Sequence, residues 1–82
     1  MPTVFRFSGM RVVIHSNDYR PAHVHVIGRG GEAVFRLDCP NGPPALREVY
    51  GMNLKQVNGI AHALLSLLDK LCADWRNIHG HF

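Results

Sequence analysis

Two histidines flank one valine in Ser16-Asn17-Asp18-Tyr19-Arg20-Pro21-Ala22-His23-Val24-His25-Val26, and no residues in the chain are better suited to chemistry. In an extended strand, side chains two positions apart project to one face about 7 Å from each other. A His-x-His pair so placed has three uses. It can supply two imidazoles to one metal ion, with His15 or Asp18 as a further ligand. It can act as base and acid in metal-independent RNA cleavage, with His23 and His25 as the catalytic pair, Arg11 and Arg36 holding phosphate, and Asp18 orienting a ring. Or it can belong to a basic surface that binds a polyanion or an acidic protein without turnover, which needs the fewest coincidences. No cysteine or glutamate completes an obvious ligand set around the pair. The expectation is therefore no cofactor and no metal; any ion would draw on His15, Asp18, His23 and His25.

The charge balance agrees with an anionic partner. Nine Lys and Arg against six Asp and Glu leave a net charge of +3, and seven of the nine are arginine. Guanidinium binds phosphate and carboxylate in a two-pronged way. Arg6, Arg11, His15, Arg20 and Arg36, with Asp18 and Tyr19 beside the histidines, are the candidate anion- or partner-binding residues. Tyr19 and Tyr50 are the only rings expected at the surface, a thin platform for stacking single-stranded nucleic acid. No helix-turn-helix, zinc-finger, phosphate-loop or nucleophile-elbow pattern occurs. His62 reads as solvated, Trp75 as a core plug, and His79 and His81 as part of a frayed terminus.

The elements that position these groups follow from periodicity. Ser8-Gly9 reads as a two-residue hairpin loop, which pairs Phe7 with Met10, Arg6 with Arg11, and Phe5 with Val12. A second hairpin turns at Gly28-Arg29-Gly30-Gly31 and sets Val24 opposite Phe35, Val26 opposite Ala33, His25 opposite Val34, and His23 opposite Arg36. Opposed residues share a face. One face therefore carries Phe5, Phe7, Met10, Val12 and Ile14; the other carries Val4, Arg6, Arg11, Val13 and His15, and gains His23, His25 and Arg36. The second face is expected to be open to solvent.

Residues 39–52, with their prolines, read as a connector of unassigned structure. Asn53 and Gln56 resemble a capping box that starts a helix running over 53–79 and ending at Gly80. Its stripe is Leu54, Val57, Ala61, Leu64, Leu65, Leu68, Leu71, Cys72 and Trp75. A helix of about 26 residues is roughly 39 Å long, so it is expected either to bend or split, near Lys70–Asp74, or to overhang the sheet. Ile60, Ala63 and Leu67 fall off the stripe and leave room for a homodimer contact. The fold class is thus α+β: an antiparallel meander of three to four strands over 1–38, with a long C-terminal helix on one face, in a single domain spanning 1–82. Cys39 and Cys72 read as free thiols. No apolar run is long enough for a membrane helix, and Met1–Arg6 lacks a leader's layout, so the expected location is cytoplasmic, with no membrane partner.

The succession Val4-Phe5-Arg6-Phe7, Ser8-Gly9, Met10 through Val26, then Gly31 to Asp38, then a helix ending in Leu71-x-x-x-Trp75-x-x-Ile78, resembles a family of small prokaryotic proteins known as domain of unknown function 4160. The most specific part is Asn17, Asp18, Pro21, His23 and His25; Ala22 stands where the family usually has a second proline. The resemblance covers nearly the whole chain. It implies a protein partner encoded alongside, in a toxin–antitoxin-like module, and leaves room for a nucleic-acid target; the leading expectation is action through the Arg/His face on RNA or on that partner.

Overall fold

The computed structural model describes residues 3–81; Met1 and Pro2, which begin the stretch read for a leader, lie outside the described residues. The elements run β1 (Thr3–Phe7), β2 (Met10–Val13), β3 (His23–Gly28), β4 (Gly31–Arg36), β5 (Ala45–Tyr50), α1 (Leu54–Ser66) and α2 (Leu68–His79). The strands form one antiparallel sheet in the order β1-β2-β3-β4-β5, each beside its neighbour in sequence. The class is α+β as expected, with a fifth strand in place of the connector and two helices in place of one. Among the described residues, no helix is long and apolar enough to cross a membrane.

Both hairpins adopt the registers that the alternation predicts. Ser8 and Gly9 take φ of 49° and 76°, and Arg29 and Gly30 take 54° and 78°. Two successive positive φ values give a turn whose twist matches that of the flanking strands. Gly28 pairs with Gly31, so the second loop is shorter by two residues than the sequence reading, a change that preserves parity. One residue departs from its expected face. The register shifts between Thr3 and Phe5, and Val4 packs against the core instead of lying beside Arg6.

β5 escaped the sequence reading because Leu46-Arg47-Glu48-Val49 puts two polar residues between two apolar ones. A regular strand would send that leucine and valine to opposite faces. The ladder resolves the conflict with a bulge: Glu48 pairs with Val34 and Leu46 with Phe35, leaving Arg47 as the extra residue.

The helices cover the face formed by Val12, Val24, Val26, Ala33 and Phe35, contributing Val57, Ile60, Leu64, Leu68, Leu71 and Trp75. Asn53 caps α1 by accepting from the Gln56 backbone N–H at 2.8 Å, while its own N–H donates to the Gln56 side chain at 3.0 Å. Replacing Asn53 with Ala is expected to cost about 1 kcal/mol, read as a lowered urea midpoint with an unchanged slope.

The chain breaks at Leu67, ahead of the expected Lys70–Asp74; Leu67 has φ −108° and ψ 8°, and its N–H bonds back to the carbonyls of Leu64 and Leu65. The molecule measures 33 Å along its longest axis, shorter than the roughly 39 Å of an unbroken helix, so the break keeps both halves on the sheet. It also corrects the stripe. Ile60 is core at 1% exposure, whereas Leu54 and Leu65 are 74% and 52% exposed. α2 ends where expected, at Gly80 with φ 82°.

Cys39 and Cys72 are not free thiols. They form a disulfide, with Cα atoms 5.8 Å apart, that ties the segment after β4 to α2. A separation of 33 residues hides from the sequence a proximity that only packing of the helix on the sheet creates.

Candidate functional site

The start of β3 and the loop before it bring Asp18, His23 and His25 together. Nδ1 of His23 lies 2.8 Å from the Pro21 carbonyl oxygen, and Nδ1 of His25 lies 2.8 Å from Oε2 of Glu32. A carbonyl or an ionised carboxylate only accepts, so each Nδ1 carries the proton and donates it. Nε2 is then the atom each ring offers. Both point at the same place: Oδ2 of Asp18 is 3.3 Å from Nε2 of His23 and 3.4 Å from Nε2 of His25. The carboxylate is itself aimed, because its Oδ2 accepts from the His15 backbone N–H at 3.3 Å and the Asp18 N–H returns to the His15 carbonyl at 3.1 Å.

α2 forms the back wall. Trp75, fully buried, lies 5.2 Å from the His23 ring and stacks on His79 at 4.0 Å between centroids. His79 donates through Nε2 to the His15 carbonyl at 3.1 Å. The expectation of a frayed terminus is therefore corrected at His79, which braces the loop carrying Asp18; His81, past the cap, is exposed. The His15 ring meets His25 edge-on at 4.6 Å, and its imidazole stands outside the three-residue cluster.

In front lies a cavity of about 240 Å³, lined by these three residues with Tyr19, Arg20, Val34, Arg47 and Glu48. Val34 is buried and Tyr19 is 87% exposed, so the cavity has an apolar floor and a wet rim. The Arg47 bulge places it here: alternation would point Arg47 away from Glu48, and the extra residue lets both line one space.

The expected open Arg/His surface is corrected in two respects. His23 is only 6% exposed, and Val13 and Val34 on that face are buried. The arginines are dispersed. Arg20 lines the cavity, but Arg36 bonds Asp38 at 2.6 Å, and Arg6 and Arg11 oppose each other on β1 and β2; none of these three lines it. Sequence reasoning missed Glu32, Arg47 and Glu48. Glu32 was within reach of it, because the hairpin register sets Glu32 diagonally across from His25. Arg47 and Glu48 needed β5.

A family model described as Domain of unknown function (DUF4160) matches residues 9–76. The chain belongs to this family. No curated protein and no solved structure matches it. The DUF4160 match contains Asp18, His23, His25, Glu32, Arg47 and Trp75, and stops short of His79.

Proposed function

We propose that this DUF4160 protein binds RNA through the cavity in front of Asp18, His23 and His25, as one half of a toxin–antitoxin-like pair in the cytoplasm. The observation that carries this reading is the bulge at Arg47, which adds a second arginine to Arg20 among the residues lining a histidine-walled cavity. Two such groups suit the oxygens of one phosphate, and the net positive charge favours a polyanion. Metal-free acid–base cleavage by His23 and His25 fits less well. Both rings direct Nε2 at one carboxylate oxygen, so the two nitrogens converge on one point and do not flank a scissile phosphate from opposite sides.

The test is a mobility shift with labelled single-stranded RNA over a range of salt. Arg20→Glu and Arg47→Glu are expected to weaken binding, and each lost phosphate contact lowers the slope of log K against log salt by about 0.7. Unchanged affinity and slope in the double variant would remove the cavity from the RNA-binding surface.

One observation favours a second reading, a non-enzymatic interaction or inhibitor protein. β5 is an edge strand, with Leu46, Val49 and Tyr50 at 45%, 38% and 61% exposure. A partner strand added there would pair the open backbone groups and cover these side chains. That complex would be insensitive to salt and lost on Leu46→Lys, the opposite of the RNA signature.

A further inference from the structure

The geometry points to a divalent transition-metal site at Asp18, His23 and His25, with one coordination position open to the cavity. It rests on reading that cavity as the working site and names the ion that would organise it. The cluster is the one group of histidine, cysteine and acidic side chains among the described residues whose donor atoms converge, all within 4.8 Å of one another. The Asp18–His23 and Asp18–His25 separations of 3.3 and 3.4 Å match two edges of a tetrahedron around an ion with bonds of about 2.05 Å, roughly 3.3 Å; the third edge, between the two nitrogens, is held only within 4.8 Å and closes as the rings turn onto the ion.

The surroundings of each ring make the same demand. With Nδ1–H of His23 given to the Pro21 carbonyl and that of His25 to Glu32, the protein has built the outer partners that fix a ligating tautomer. What remains is two imidazole lone pairs facing one carboxylate, an arrangement that repels itself. A single proton relieves one of the two contacts; a divalent cation between the three atoms relieves both. Nε2 of His25 is buried and makes no hydrogen bond among the described residues, despite lying at ion-pair distance from Asp18. A buried polar atom without a partner is destabilising, and a bound ion gives this one its partner. Two nitrogens and one oxygen suit Zn²⁺, Co²⁺, Fe²⁺ or Ni²⁺ better than Mg²⁺ or Ca²⁺. Three protein ligands leave a fourth position for water or an anionic oxygen, on the side where Arg20 and Arg47 stand.

The experiment is a titration of chelator-stripped, folded protein with CoCl₂ and ZnCl₂, followed by calorimetry and by the visible absorption of cobalt. One equivalent is expected to bind, with the intense bands of a low-coordinate cobalt ion. Asp18→Asn and His25→Gln, checked for fold by circular dichroism, are expected to lose that spectrum. Glu32→Gln weakens binding about tenfold or more, and His62→Ala, on the exposed side of α1, leaves it unchanged. Absence of stoichiometric uptake, or uptake undiminished by Asp18→Asn and His25→Gln, overturns the site. The RNA shift is run in parallel on ion-loaded protein and on protein in excess chelator. Uptake of the ion without any RNA shift upholds the metal site and removes the RNA reading; an RNA shift in protein that takes up no ion does the reverse.

Discussion

Reducing the Cys39–Cys72 disulfide is expected to remove about 3–4 kcal/mol of stability, because a cross-link of this span withdraws that much chain entropy from the unfolded state. The bond spans 33 residues, from the segment after β4 to α2, and so encloses β5 and α1. It is the covalent complement to a sheet-on-helix core assembled from short elements. In a domain of 82 residues each kcal/mol shifts the melting temperature by about 4–8 °C, so a fall on the order of 20 °C follows. Thermal melts with and without reductant, alongside the Cys39→Ser, Cys72→Ser double variant, measure it. A shift under about 3 °C would mean that α2 is seated without the bond. The cytoplasm keeps thiols reduced, so the proposed location requires the reduced form to stay folded, which the reductant arm reads directly.

Replacing Trp75 with alanine is expected to cost about 3–5 kcal/mol, a large part of the roughly 5–15 kcal/mol that holds a typical domain together. The ring is fully buried, and it touches both His23 and His79. Its removal leaves a cavity at the end of α2 and frees the two imidazoles that back the site. Urea denaturation followed by circular dichroism gives the loss; Trp75→Phe keeps most of the volume and is expected to cost less than half as much. The larger truncation also loosens the brace from His79 to the His15 carbonyl, so the proposed metal or RNA binding is expected to fall in Trp75→Ala even where the fold persists. A cost below about 1 kcal/mol would place Trp75 outside the core, contrary to the packing described above.

Much of the sheet was legible because its determinants are local. Ser8-Gly9 and Arg29-Gly30 define tight turns, and alternation on either side sets Arg6 against Arg11 and His25 against Val34. The capping box at Asn53 and the stop at Gly80 are likewise short-range signals. The helix break was misplaced because one stripe drawn through two differently inclined segments averages them. It put Leu54 and Leu65 inside and Ile60 outside, the reverse of what packing chose. β5 was illegible for a related reason: a bulge is an agreement between two strands, and Leu46-Arg47-Glu48-Val49 by itself reads as a broken pattern.

The candidate site divides along the same line. By itself, the chain specified that His23 and His25 share a strand face and that Asp18 precedes them by a short loop, since strand period and loop length are properties of neighbouring residues. Tertiary structure decided what those groups became. Folding buried His23 against Trp75, aimed both Nε2 atoms at one Asp18 oxygen, and brought in Glu32 and Arg47. It also joined Cys39 to Cys72. These contacts depend on the angle at which one element meets another, which is set by how whole faces fill the space between them.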